Sequence, residues 1–139
     1  MYSEISVSVV ITTRNERSNI VNCLDSIKKQ SYPQKKIEMI VVDNNSTDGT
    51  KEIALRYTDK IYNYGPERSA QRNEGVRRAQ GKYVLYLDAD MILSENIVRE
   101  CVTKFENKDL VALYIPERIM GNGFWVRVRD FERSFYNAT

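Results

Sequence analysis

Three short runs of apolar, largely β-branched residues, each ending at a polar or acidic loop, constrain this chain more than any other feature. They are Ile5 to Thr12 (ISVSVVIT), Ile37 to Val42 (IEMIVV) and Tyr83 to Leu87 (YVLYL). Runs of this length with little alternation read as strands buried in a parallel sheet, apolar on both faces. Between them, apolar residues recur three and four apart, the spacing of one helix face. Ile20, Cys23, Leu24 and Ile27 form such a stripe in a helix starting at Ser18. Ile97, Val98, Cys101, Val102 and Phe105 form another, with Ser94 as its cap. A helix capped by Thr47 or Asp48 and running to about Tyr57 follows the second run. A third helix is expected over Glu67–Gln80, with Ala70, Val76 and Ala79 inward. Lys60–Asn63 and Leu110–Ile115 add two further strands. The order β-α-β-α-β-α-β-α-β implies an α/β fold, a mostly parallel sheet with right-handed crossovers and helices on both faces.

Ligands of such sheets gather at the carboxyl ends of the strands, and acids stand there in this chain. Glu16 follows the first strand, Asp43 the second, and Asp88 and Asp90 the fourth. If extended geometry persists past Leu87, Asp88 and Asp90 project to the same side and repel unless a cation lies by them. A hard divalent cation such as Mg²⁺ or Mn²⁺ would relieve that repulsion and bring a phosphate with it; the alternative is an acidic, solvated turn. The chain has no histidine, so histidine-based nucleophilic triads and zinc sites cannot be built. Any metal must be held by oxygens. A net charge of +2 gives no basic field for nucleic acid. No apolar run is long enough to span a membrane, and the first residues have no signal-peptide pattern. Cys23 and Cys101 read as buried free thiols. One domain over 1–139 is expected, with 117–139 as the start of an acceptor-side region.

Common nucleotide motifs fit poorly. No GxGxxG follows the first strand, and Gly75 to Lys82 has the wrong spacing and context for a P-loop. An aspartyl phosphohydrolase is a remote alternative for Asp88-Ala89-Asp90. The segments VVITTRNE, VVDNNSTDGT and RSAQRNEGVRRAQGKYVLYLDAD, in that order, resemble glycosyltransferase family 2, whose members have the GT-A fold. Thr12 departs from the proline frequent there.

The resemblance implies a site residue by residue. Thr12, Thr13, Arg14, Asn15 and Glu16 correspond to the loop that holds base and ribose, with Glu16 accepting ribose hydrogen bonds. Asp43 is similar to the acid that reads a base N–H, which favours uracil over cytosine without settling guanine; Asn45 belongs to the same loop. Arg68 and Arg72 resemble the helix face that closes over the nucleoside, or are solvated arginines. Asp88, Ala89 and Asp90 resemble the DxD motif, Asp90 ligating the metal and Asp88 acting on ribose or through metal-bound water. Arg118 resembles a residue that meets the diphosphate, or is a surface arginine. The expected activity is metal-dependent, inverting transfer from a nucleotide sugar, UDP-linked in the first instance, to a glycan, polyprenyl phosphate or other acceptor; the cofactor is Mn²⁺ or Mg²⁺. The alternative is a nucleotide-sugar binding module without turnover, because few residues follow Asp90 to build an acceptor half. That shortness also suggests a fragment. Phe124, Trp125, Val128, Phe131, Phe135 and Tyr136, with Arg127, Arg129 and Arg133 between them, are spaced for an amphipathic helix. That helix either packs on the sheet or meets a membrane interface peripherally. A cytoplasmic location is expected, with the cytoplasmic membrane face as its variant.

Overall fold

The computed structural model describes residues 5–121. They fall into two compact units divided after Lys108. The first carries β1 (Val7–Thr13), α1 (Ile20–Lys28), a 3-10 turn (Gln34–Lys36), β2 (Ile37–Asp43), α2 (Thr50–Ala54), β3 (Ile61–Asn63), α3 (Arg68–Arg78), β4 (Tyr83–Asp88) and α4 (Ile97–Asn107). The four strands form one all-parallel sheet in the order β3-β2-β1-β4.

Strand side chains alternate between faces, so the sheet sorts its own core. Val7, Val9 and Ile11 of β1 join Ile37, Met39 and Val41 of β2 on one face, against Ile20, Cys23, Leu24 and Ile27 of α1 and Val98 and Val102 of α4. The helix spacings read from the sequence therefore mark the buried stripes. On the other face Val10, Ile40 and Val42 form a smaller cluster beneath α3.

That helix docks differently from expectation. Val76 is 40% exposed, whereas Gln71, Glu74 and Gly75 are buried. The determinant is size. A Cβ on Gly75 would run into Val10 Cγ1, so the helix approaches β1 through its glycine and turns Val76 outward. β4 is also not apolar-buried on both faces: Leu87 is buried, but Val84 and Tyr86 are 37% and 46% exposed. Among the described residues β4 pairs only with β1, and α3 lies over β1 and β2.

Helix starts shift by one or two residues. Gly49, with φ 92°, precedes α2 in place of Thr47 or Asp48, and Asp48 Oδ1 accepts the Thr50 N–H at 3.0 Å from outside the helix. Asn96, not Ser94, caps α4. The fifth strand does not form. Residues 110–115 carry no regular element, Val111 is fully exposed and Tyr114 is 70% exposed. An apolar run becomes a strand only when a neighbour accepts its backbone hydrogen bonds, and none does so among the described residues. The helix expected over Phe124–Tyr136 lies outside the described residues. Among those described, no helix is long and apolar enough to cross a membrane.

The amino edge of the sheet is closed by a buried polar cluster. Glu38, 5% exposed, accepts hydrogen bonds from Lys60 Nζ at 2.6 Å, the Gln80 N–H at 2.5 Å and the Ser8 hydroxyl. Burial would raise the Glu38 carboxyl, but those bonds and the Lys60 charge outweigh it and hold it below the usual range. A depressed folded-state value means that the linked stability is full above the unfolded glutamate range and is lost as pH falls through the folded value. Glu38→Gln should lower stability to urea at neutral pH by about 1–3 kcal/mol. The gap should narrow below about pH 4; a gap constant with pH would refute the charged pairing. Gly75→Ala should also destabilise: overpacking costs about 1–3 kcal/mol, against the roughly 1 kcal/mol that alanine gains in a helix. Urea melts should show the loss shrinking in a Val10→Ala background.

Candidate functional site

The parallel register brings strand ends together by construction. Thr13 pairs with Asp43, and Thr12 with Asp88. Two loops leave this edge, one after β1 and one after β2, and they are stitched to each other. The Asn15 N–H donates to Ser46 Oγ at 2.8 Å, and the Thr47 N–H donates to Asn15 Oδ1 at 2.8 Å. The Glu16 N–H donates to Thr50 Oγ1 at 2.9 Å, the Arg17 N–H to Asp48 Oδ2 at 3.1 Å, and the Asn44 N–H to Thr13 O at 2.9 Å. Asn15 and Asn45 have φ of 52° and 50°, a left-handed turn that asparagine tolerates better than most residues.

Between the loops, α3 and the end of β4 lies a cleft of about 220 Å³. Of the residues singled out by sequence, Thr12, Thr13, Arg14, Glu16, Arg68, Asp88, Ala89 and Asp90 line it, joined by Asn44, Pro66 and Gln71. Asp43 is 1% exposed and spends both carboxylate oxygens on Ser46: Oδ2 accepts its N–H at 2.9 Å and Oδ1 its hydroxyl at 2.5 Å. Asp43 thus shapes the second loop from beneath. Asn45 is tied sideways to Asn63 of β3. Arg118 belongs to the second unit, whose described residues carry no helix or strand.

The strand ends at Asp88. Ala89 and Asp90 form a turn closed by the Met91 N–H to Asp88 O at 2.9 Å, so the two acids are not successive same-side residues of an extended strand. Asp90 is exposed at the cleft, and Asp88 is 8% exposed. Asp88 already has cationic company. Arg68 Nη1 lies 3.1 Å from Oδ2, Arg72 Nη2 lies 3.4 Å from Oδ1, and Thr12 Oγ1 donates to Oδ1 at 2.7 Å. With those guanidinium side chains 66% and 39% exposed, each ion pair adds at most about 1 kcal/mol, so the arrangement orients more than it stabilises. The Arg72 guanidinium also lies over the Tyr86 ring, 5.5 Å from its centroid. Thr13 Oγ1 and Arg72 Nε are buried without a protein partner, and buried polar atoms left unsatisfied by protein are where a ligand gains most.

The described residues contain no cluster of three acids, cysteines or histidines. Asp88 and Asp90 nevertheless fit Mg²⁺ or Mn²⁺, because such ions commonly take one or two carboxylates and complete their shell with substrate phosphates. A larger groove of about 530 Å³ along α1 and residues 92–95 carries Asp25, Lys29 and Glu95 but, among the described residues, no buried side-chain polar atom without a partner. Its buried polar residue, Ser26, is satisfied by Cys23 O at 2.6 Å and the Leu93 N–H at 3.0 Å.

Gln71, like Asn44 and Pro66, lines the cleft without having been singled out from the sequence. It is 5% exposed, and its Nε2 donates to Thr13 O at 3.1 Å and Val42 O at 2.8 Å. The available signal was Gly75, which marks the docked face of α3; Gln71 lies one turn before it.

Both cysteines are free. Cys23 Sγ–H points at Asp88 O, 3.7 Å away. Burial, then the charges of Asp90 and Asp88, push its thiol up to about 12. Cys23 should therefore resist a thiol reagent in the native protein at about pH 8 and react once the chain is unfolded. Mass spectrometry of labelled peptides checks this, and native labelling would contradict a thiol buried against the Asp88 carbonyl.

The family model described as glycosyl transferase family 2 matches residues 8–139. Glycosyltransferase AglE of Haloferax volcanii is 41% identical over 91 residues, covering 60% of this chain and 30% of that protein. The poly(ribitol-phosphate) beta-glucosyltransferase of Bacillus spizizenii is 33% identical over 130 residues, covering 86% of this chain and 20% of that protein. The chain thus spans less than a third of either relative. Among solved structures, residues 1–349 of TarS from S. aureus in complex with UDP superpose with a TM-score of 0.69 at 22% identity, over 85% of this chain and 40% of that one; this bears on fold alone. The mannosyltransferase PcManGT from Pyrobaculum calidifontis, in complex with GDP-Man and Mn²⁺, gives 0.63 at 31% identity, over 69% of this chain and 31% of that one.

Proposed function

The chain belongs to glycosyl transferase family 2 and has the GT-A fold, and from that premise we propose that its cleft binds the nucleoside diphosphate of a UDP-sugar for metal-dependent, inverting transfer to an acceptor. The observation that carries this reading is the convergence of Glu16, Arg68, Asp88 and Asp90 on one cleft at the carboxyl ends of β1 and β4. The stitched loops give a cradle whose backbone is fixed before a ligand arrives, which lowers the ordering cost of binding. Glu16 and Thr13 offer hydrogen bonds to ribose and base, and Arg68 and Arg72 supply positive charge beside the diphosphate. Asp90 and Asp88 would hold a divalent cation, which would supply Lewis-acid stabilisation of the leaving diphosphate. Arg68 and Arg72, paired to its two oxygens, hold the Asp88 carboxylate in place at the cleft. The resemblance of the base-reading loop favours uracil over cytosine without settling guanine, and the solved relatives include a UDP complex and a GDP-Man complex.

Transfer also needs an acceptor. A phosphate acceptor is already an anionic nucleophile and requires no base, while a sugar hydroxyl does. The cleft as described supplies the donor side. Nucleotide-sugar binding without turnover is therefore the second reading for this stretch of chain, favoured by the small share of each relative that it spans.

Calorimetry with UDP and Mn²⁺ tests the first reading. Binding is expected, with Asp90→Ala weakening the metal-dependent part about tenfold or more. Absence of heat with the parent chain, or unchanged heat in Asp90→Ala, would overturn it. Slow hydrolysis or transfer from a panel of UDP- and GDP-sugars would remove the second.

A further inference from the structure

Gln71 stands out among the polar residues of the cleft because its amide is buried and doubly committed. Both Nε2 hydrogens are used, one on the carbonyl of Thr13 at the end of β1, the other on the carbonyl of Val42 near the end of β2. Those carbonyls stand where the two cradle loops begin. The donor nitrogen is thereby fixed toward the sheet, which also fixes the rotation of α3 about its own axis at this turn. Arg68 and Arg72 lie three residues before and one residue after Gln71, so they share the turn that the amide anchors. One turn further on, Gly75 sets the distance between α3 and β1. The glycine sets how closely the helix approaches, and the glutamine sets its height and rotation.

We propose that Gln71 is a positioning residue of the nucleotide cleft, tying α3 to the ends of β1 and β2 so that Arg68 and Arg72 meet at Asp88. The ion-pair geometry supports this. The two guanidiniums reach different oxygens of one carboxylate, at 3.1 and 3.4 Å, from long side chains that are 66% and 39% exposed. Such pairs do not fix a helix by themselves, because exposed ion pairs contribute too little. The rigidity must come from a buried contact, and Gln71 is the buried polar side chain of α3 that bonds the strand ends. The inference rests on the cleft binding a nucleoside diphosphate.

The test is a double-mutant cycle read by calorimetry with UDP and Mn²⁺ on the full chain, combining Gln71→Met with Arg68→Ala/Arg72→Ala. In the parent background Gln71→Met should weaken UDP about tenfold; in the arginine-less background it should have little further effect, because the group it positions is gone. Gln71→Asn, which keeps the amide but is one methylene short, should behave like Gln71→Met and serves should the methionine variant fail to fold. Thermal unfolding of each variant confirms the folded state. Losses that simply add across the cycle, or a Gln71 variant that binds as the parent does, would overturn the proposal. A parent chain that binds no UDP would instead overturn the functional reading on which it rests.

Discussion

β1 is paired in parallel on both edges and packed on both faces, and the cleft inherits its geometry from that confinement. A strand held this way cannot slip its register without moving every apolar side chain to the wrong face. Thr12 and Thr13 are therefore fixed relative to Asp43 on one side and Asp88 on the other. No loop has to search for its partners: the strand ends deliver them, and the loop backbones are then bonded across. The side chains that would meet a ligand are mounted on an already ordered frame, which is the form of preorganisation that specific binding requires.

Electrostatics at the cleft follow from where the strand stops. Asp88, at the last extended position, is reached from α3 by two arginines and from β1 by a threonine hydroxyl. Asp90, in the turn, is exposed. The two acids therefore stand in different surroundings despite being one residue apart. One is embedded in a network of the protein's own making, and the other faces solvent. The thiol of Cys23 below them responds to both charges and remains protonated, an inert floor to the site.

The buried stripe of α1, the stripe of α4 and the positions of the acidic strand ends were legible because each rests on a short-range rule: periodicity, or the abrupt end of an apolar run. The family resemblance named Thr12, Thr13, Arg14 and Glu16 together with Asp88 and Asp90, and these line one cleft. What misled was hydropathy where size or pairing decides. Val76 looks inward by composition but is displaced by Gly75; Val84 and Tyr86 look buried but stand on a strand with one neighbour among the described residues; Leu110 to Ile115 looks extended but finds no ladder. Gln71 was invisible for the converse reason, since a glutamine on a charged helix suggests solvent. Asp43 stands at the strand end where the sequence puts it, with its two oxygens bonded to the Ser46 N–H and hydroxyl.

The two edges of the sheet differ in one further respect. At the amino edge, Glu38, Ser8, Lys60 and the Gln80 amide saturate one another, and nothing is left over for a visitor. At the carboxyl edge, Thr13 Oγ1 and Arg72 Nε remain uncommitted. Resilience of the scaffold and choice of guest are consequently written in separate sets of side chains at opposite poles. Drift that retunes what the mouth accepts can proceed without loosening the base, so one framework can be handed down through descendants with quite different appetites.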